Sequence, residues 1–268
     1  HMRAYFTFFK IRFINGLQYR AAAYAGIATQ FAWGFMTILM FRAFYKSSPE
    51  NFPMTFEKLT TYIWLQQSFL ALFMAWFFDN EIFDSISNGN VAYELCRPTG
   101  LYEMWFVRSL SSRVYRVVLR CAPILIVAAF LPLPYGISLP IDAATFLLFM
   151  LSMTLGLFLM VSINMTIYAS TFYTMSPMGI RILFVSLAEL FSGAIIPLPF
   201  LPDKVHRAFN LLPFASTQST PFLIYNGYLS GEGIRYALLL QIGWLFAFVL
   251  FGKLLFRNAL KRVIVQGG

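Results

Sequence analysis

Residues 143–180 read AATFLLFMLSMTLGLFLMVSINMTIYASTFYTMSPMGI and contain no Asp, Glu, Lys or Arg. The run is nearly twice as long as the roughly 20 apolar residues that one helix needs to cross the hydrocarbon core of a bilayer. Pro177 can occupy the first turn of a helix, where its missing N–H is not required, so a turn is expected just before it. The run therefore predicts two transmembrane helices, over residues 142–170 and 177–197.

Four further stretches have the length and apolar character of a membrane span. They lie at residues 21–45, 58–79, 114–133 and 236–257. Composition agrees, because 59% of the 268 residues are hydrophobic, 12% are charged and the mean hydropathy is +0.68. Soluble domains carry about twice that charged fraction, and a water-soluble fold of this size cannot hide so much apolar surface. We therefore expect an all-α integral membrane protein with six transmembrane helices, forming a single transmembrane domain over residues 1–268.

Basic residues are spread unevenly over the two sides of this six-span topology. The chain has 20 Lys and Arg against 11 Asp and Glu, and most of the cations fall on the side that holds both termini. Cationic loops stay in the cytoplasm. The sequence therefore predicts a multi-pass protein of the bacterial inner membrane with both termini cytoplasmic. Since the membrane explains the positive charge, no nucleic-acid partner is expected.

Two basic segments flank the first and third predicted spans. In residues 2–20, phenylalanines at helical spacing alternate with cations, which is typical of a helix in the cytoplasmic interface, although a cytoplasmic extension of span one fits equally well. The second segment, at span three, carries Arg108, Arg113, Arg116 and Arg120. We expect these side chains to face lipid phosphates. The alternative is that they capture an anionic substrate.

The segment 80–100, between spans two and three, carries helix start and stop signals. Acidic and amide side chains at its start can accept bonds from free N–H groups, and an Asn-Gly pair can end the helix. Ile82, Phe83 and Ile86 then share one face of a short cytoplasmic helix. Two uses of this face are open: docking of a cytoplasmic protein, or packing against the chain's own spans.

Two motifs, in this order, resemble one family of membrane proteins. Residues 89–98 read GNVAYELCRP, with a Gly, a Leu and an Arg-Pro pair, and residues 191–202 read FSGAIIPLPFLP. Together they resemble the permease subunit of a type-2 ABC exporter, in the branch with stand-alone six-span permeases. The resemblance covers essentially the whole chain.

The resemblance implies an interfacial N-terminal helix, a cytoplasmic coupling helix between spans two and three, and extracellular re-entrant helices at 198–235, before the last span. An ordinary extracellular loop is the alternative for this last segment. It implies two copies of an ABC ATPase subunit, which bind ATP and Mg²⁺, and a second permease subunit, identical or related. It also implies export of an amphiphilic drug, peptide or lipid-like substrate, with no cofactor in this chain. The ATPase contact would consist of Glu81, Ile82, Phe83, Asp84, Ile86, Gly89, Arg97 and Pro98.

Few polar residues lie within the predicted spans, and one of them is an acid. A charge in the middle of a membrane helix costs about 2.5 to 3.5 kcal/mol on insertion scales, so Glu189 should face a cavity, a partner helix or a cation. Gln66 and Gln67 are expected either to bond between helices or to line a path. All three are therefore candidates for the translocation path or for the seam between two permeases.

The sequence offers no catalytic, cofactor or metal site of its own. Gly252-Lys253 lacks the glycine five positions earlier that a phosphate-binding loop needs, because residue 247 is Ala. ATP hydrolysis is therefore expected on a separate subunit. Three alternatives remain: an ion-coupled secondary transporter, which needs several intramembrane carboxylates, a lipid-modifying membrane enzyme, which needs clustered catalytic side chains, and a purely structural subunit.

Overall fold

The computed structural model describes residues 2–18, 20–47, 50, 52–174 and 176–261, and its regular elements there are all helices. One turn of 3-10 helix covers Leu198–Phe200. The all-α fold class expected from the sequence is confirmed. The α-helices are α1 (Met2–Gly16), α2 (Arg20–Ser47), α3 (Phe56–Ser68), α4 (Leu70–Phe73), α5 (Asn80–Ser87), α6 (Val91–Leu95), α7 (Leu101–Phe130), α8 (Ala143–Thr174), α9 (Pro177–Phe191), α10 (Asp203–Asn210), α11 (Ser219–Tyr225) and α12 (Glu232–Leu260).

Three helices are long and apolar enough to cross a membrane, judged by length and composition. They are Ala23–Ser47 within α2, Ala143–Thr174 and Glu232–Leu260. The other three predicted spans fall on helices with different features: the helix of the second span is interrupted, α7 carries arginines in its first part, and α9 has only 15 residues. Six crossings therefore stay a prediction.

The second predicted span, 58–79, is an interrupted helix. α3 ends at Ser68, the single turn of α4 follows, and the chain then runs without helix until Asp79. No Gly or Pro occurs between residues 58 and 79, so the local sequence holds no conventional helix breaker. The interruption must be stabilised by a contact from elsewhere in the chain.

A buried arginine of α7 supplies that contact. The Arg113 guanidinium is fully buried and donates hydrogen bonds to the carbonyl oxygens of Leu72 at 2.8 Å, Met74 at 3.1 Å and Phe77 at 3.2 Å. Carbonyls at the end of a helix have no intrahelical partner, and the guanidinium takes that role here. Arg113 was expected to face lipid phosphate. That expectation is wrong, because the side chain is enclosed by protein.

α8 and α12 form the most extensive helix pair of the fold, and one glutamine joins them to a third segment. Gln241 of α12 is fully buried. Its Nε2 donates to the carbonyl oxygens of Ser152 at 3.2 Å and Ser216 at 2.7 Å, and its Oε1 accepts from the Ser152 hydroxyl at 2.9 Å. Polar atoms in an apolar setting need such internal partners.

Residues 213–226, in the later part of the segment between α9 and α12, enter the helical body, whereas α10 has no buried residue. Every residue of α11 is buried, and α11 packs against α8 and α3. The carbonyl oxygen of Thr217 lies where a Cβ on Gly156 would stand. Gly156 is roughly 20 Å along α8 from Ala143, at about 1.5 Å per residue. This segment therefore reaches the middle of α8.

The connections between helices gather at two ends of the molecule. At one end, Lys58 donates to the carbonyl oxygen of Gly227 at 3.0 Å, and the hydroxyls of Thr61 and Ser138 are 2.8 Å apart. At the other end, Lys253 of α12 pairs with Glu103 of α7 at 2.8 Å, close to α1 and to the segment that contains α5. α12 therefore ends where α7 begins, so these two helices run in opposite directions, whereas α8 and α12 both begin at the first end and run in the same direction.

Candidate coupling site

The short helix α5 is closed at both ends by the capping residues of the sequence. Asp79 is its N-cap, and the Asp79 carboxylate accepts the backbone N–H of Glu81 at 3.1 Å. At the other end, Asn88 is the C-cap, and Gly89 takes a left-handed φ of 73°. Left-handed backbone favours glycine at the end of a helix. α5 is therefore a well-delimited helix between the second and third predicted spans.

The apolar face of α5 points into the protein. Ile82, Phe83 and Ile86 are buried, and the Phe83 ring lies 4.9 Å from the ring of Tyr168 on α8 and 5.7 Å from that of Phe78. In this structure the face packs against the chain's own helices, which is one of the two uses left open by the sequence. The ATPase contact that the resemblance assigns to these three side chains stays a prediction.

Ion pairs of the buried Arg108 side chain fasten the start of α5 to α7. The Arg108 guanidinium bonds both carboxylate oxygens of Asp79, one of them at 2.8 Å, and also pairs with Glu81. Bidentate pairs between arginine and carboxylate are strong and directional. Arg108 was expected to face lipid phosphate; its two acidic partners contradict that expectation. Asp79 therefore caps α5 and joins it to α7 with one side chain.

Two further contacts fasten α5 to α8 and α9. The Tyr168 hydroxyl of α8 accepts the backbone N–H of Asp79 at 2.9 Å. Arg181 of α9 donates to the side-chain oxygen of Asn80 at 3.1 Å, and its guanidinium lies 4.9 Å from the ring centroid of Phe83. A cation over an aromatic face is attracted by the ring quadrupole. Contacts at the start of α5 thus join it to α7, α8 and α9.

Glu94 of α6 links α5 to α7 a second time. One carboxylate oxygen of Glu94 accepts the Ser85 hydroxyl at 3.2 Å, and the other accepts the indole N–H of Trp105 at 2.8 Å. Trp105 and Ser85 are both buried. The residues from Asp79 to Trp105 therefore form one connected unit, in which a shift of α5 must also move α6 or α7.

The outer face of this unit is exposed and carries acids, although Tyr93 and Leu95 of α6 are exposed as well. The Glu81 side chain is 77% exposed despite its ion pair, and Asp84 lies beside it. The remaining assigned residues, Gly89, Arg97 and Pro98, are also exposed. A protein that docked on this face would meet acids, loop residues and these two apolar side chains of α6.

The three polar residues of the predicted spans lie in different settings. Gln66 is buried and donates from its side-chain nitrogen to the carbonyl oxygen of Ala194 at 2.6 Å, which ties α3 to the residues after α9. Gln67 is buried next to Gly34 of α2. Glu189 on α9 is half-buried and makes no hydrogen bond or ion pair with any residue that the structure describes. Among the described residues, no hydrogen bond joins any two of these three side chains.

Sequence reasoning missed the residues that hold α5 in place. Arg108 was treated as one of four equivalent arginines, and neither Tyr168 nor Arg181 was assigned a role. One signal was available, because the predicted topology puts Arg108, Arg181 and the acids of α5 on the same side of the membrane. Spacing alone cannot pair an arginine with carboxylates more than twenty residues earlier.

Comparison with known families identifies the chain. The profile of the family described as "ABC-2 family transporter protein" matches residues 31–267. This match contains the later part of α2, from residue 31, and every later helix, including α5 and the helices bonded to it. Among curated proteins, no match is found. Because the matched region covers far more than half of the 268 residues, the chain belongs to the ABC-2 family of transporter proteins.

Proposed function

We propose that this chain is the transmembrane permease subunit of an ATP-driven type-2 ABC exporter, and that α5 receives the motion of a separate ATPase subunit. One observation carries the proposal: Arg108, Tyr168 and Arg181 join the start of α5 to α7, α8 and α9. A displacement of α5 would reach these three helices at once. The chemistry of ATP hydrolysis, with its Mg²⁺, belongs to the partner.

The proposed complex holds two ATPase subunits and two permeases, identical or related, with the path between the permeases. The setting of Glu189 supports the proposal that this chain has a partner within the membrane. A carboxylate within a span is costly without a cation, a hydrogen-bond donor or water, and no described residue of this chain supplies one to Glu189. We propose that a second permease or the substrate supplies that cation or donor. Gln66 and Gln67 are proposed as further residues of the path or the seam, for an amphiphilic drug, peptide or lipid-like substrate.

The proposed topology has six crossings, both termini in the cytoplasm of a bacterial cell and a re-entrant segment at 198–235. The direction of α7, opposite to that of α8 and α12, supports the crossings, because a third span must run against the fourth and the sixth. The burial of α11 and the approach of Thr217 to the middle of α8 support re-entry, because non-helical backbone at membrane depth is tolerated only where protein or water surrounds it.

Charge reversal at Asp84 tests the ATPase contact. Asp84 is exposed, and its side chain is outside the ion-pair network of α5. Asp84→Lys is therefore expected to weaken the binding of a co-expressed ABC ATPase subunit by about tenfold, which is about 1.4 kcal/mol. Copurification and vanadate-sensitive ATP hydrolysis measure the effect.

The matched control is Glu232→Lys, at the exposed start of α12 and at the other end of the molecule. It should bind the ATPase as the unmodified chain does. Phe83→Asp is not a suitable probe, because it would place a charge in a buried site. The proposed contact is wrong if no ATPase subunit copurifies with the unmodified chain, or if the Asp84→Lys and Glu232→Lys variants bind the ATPase subunit equally well.

The proposed orientation can be read from a native cysteine. Cys96, after α6, is exposed, whereas Cys121 lies partly buried in α7. In a Cys121→Ser background, a membrane-impermeant maleimide should label Cys96 in inside-out vesicles and leave it unmodified in intact cells. The chain is expressed without an ATPase, so that nothing covers Cys96. Labelling from outside intact cells would reverse the proposed topology.

A further inference from the structure

A basic cleft of about 550 Å³ opens between α1, the start of α2 and α7, beside the N-terminus of α5. One face of α7 lines it, because Arg108, Ser112, Arg116 and Arg120 follow at intervals of four residues, and residues four apart share a face of a helix. Arg12 of α1 lines the cleft from the opposite wall. Four guanidinium groups thus meet one opening.

The charge of the cleft is only partly balanced by the protein. Asp79 and Glu81 are both paired with Arg108. Arg12, Arg116 and Arg120 have no acidic partner among the residues that the structure describes. Four arginines against two carboxylates leave the lining of the cleft with an excess positive charge of about two, which needs an anion for balance.

Two of these arginines also have unused donors. The Nε atoms of Arg116 and Arg120 are buried and have no hydrogen-bond partner in the described chain. The Arg116 guanidinium stands 4.0 Å from the ring centroid of Phe77, and that of Arg12 stands 5.5 Å from the ring of Phe8. Ring contacts occupy the face of a guanidinium and leave the N–H groups at its edge available.

We infer that this cleft binds the phosphate of an anionic phospholipid headgroup. Guanidinium groups match phosphate oxygens in geometry and charge. Basic pockets between membrane helices on the cytoplasmic side are suited to anionic headgroups. The lining adds the apolar side chains of Ile11 and Leu119, which fit the glycerol and the first carbons of the acyl chains. The bound lipid would join α1 to α7 next to Asp79.

Lipid selectivity in detergent tests the inference. The full chain is purified in a neutral detergent, and bound lipid is counted by native mass spectrometry during titration with phosphatidylglycerol or phosphatidylcholine of the same acyl chains. The unmodified chain should bind phosphatidylglycerol at least about tenfold more tightly. The double variant Arg116→Gln and Arg120→Gln should lose this preference. Arg257→Gln, an exposed arginine of α12, should keep it.

Two controls separate binding from folding and lipid from free phosphate. Arg116→Lys with Arg120→Lys keeps the charge, so it should retain part of the preference, and the melting temperature of each variant in phosphatidylcholine reports its fold. Inorganic phosphate at the same free concentration should not displace the lipid. The inference is overturned if phosphatidylcholine binds as tightly, if a folded Gln double variant keeps its preference, or if inorganic phosphate competes equally. None of these measurements involves the ATPase.

Discussion

Arg113→Met is expected to lower the free energy of unfolding by about 3 kcal/mol or more, because three carbonyl oxygens lose their donor. Leu72, Met74 and Phe77 present these carbonyls where the second predicted span leaves its helix. A buried polar group without a partner costs about 1–3 kcal/mol. Water cannot replace the guanidinium easily, since the side chain is fully buried.

The desolvation of the Arg113 guanidinium opposes this loss of stability. Burying a guanidinium without a carboxylate carries a desolvation cost of several kcal/mol, and the methionine variant recovers it. The carbonyl dipoles offset that cost in the native protein. Among the described residues, only the Phe77 carbonyl oxygen has another side-chain donor, since Asn164 donates to it at 3.3 Å. Two carbonyls would therefore be left without any donor, so destabilisation should outweigh the recovered desolvation.

Thermal unfolding in detergent measures the loss. A change of about 3 kcal/mol corresponds to a fall in Tm of about 6–12 °C for a chain of this size. Arg113→Gln keeps two N–H donors but not the five of a guanidinium, so its Tm should lie between that of Arg113→Met and that of the unmodified chain. Arg257→Met, at an exposed position of α12, is the control and should shift Tm by about 2 °C at most. Equal melting of the two methionine variants would mean that the carbonyls have other partners.

The interruption of the second span is the part of the fold that the sequence could not predict. Apolar runs and Pro177 are local signals, and they account for where α8, α9 and α12 lie. The break after Ser68 has no local signal, because its cause is Arg113, a residue of α7. Hydropathy counts treat any arginine as a mark of the membrane surface. They cannot recognise one that caps a helix inside the protein.

At the candidate site, too, the features that depend on neighbouring residues can be predicted, and those that depend on distant helices cannot. The caps of α5, Asp79 and Gly89, can be predicted because capping depends on neighbouring residues. Helical periodicity also puts Ile82, Phe83 and Ile86 on one face. It cannot say which surface that face meets, because this depends on α8 and α9. The partners of Arg108 were missed for the same reason.

Gly156→Ala is the second substitution with a large expected effect, and the protein supplies its control. A methyl group on Gly156 would overlap the carbonyl oxygen of Thr217 and stand 3.3 Å from the Phe73 ring. Overpacking of this kind costs about 1–3 kcal/mol. A methyl group on Gly243 of α12 would meet nothing within 4 Å, so Gly243→Ala gains helix propensity without a clash, about 0.5–1 kcal/mol.

The two alanine variants should therefore change Tm in opposite directions, because both gain the same propensity and only Gly156 meets backbone. A bulky side chain could rotate away from a methyl group, but the Thr217 carbonyl can move only with its segment. That segment is held by Gln241, which accepts from Ser152 and donates to Ser216. A stabilised Gly156→Ala variant would mean that residues 213–219 stand away from the middle of α8. The main support for re-entry would then be lost, while the coupling proposal, which rests on α5, would remain.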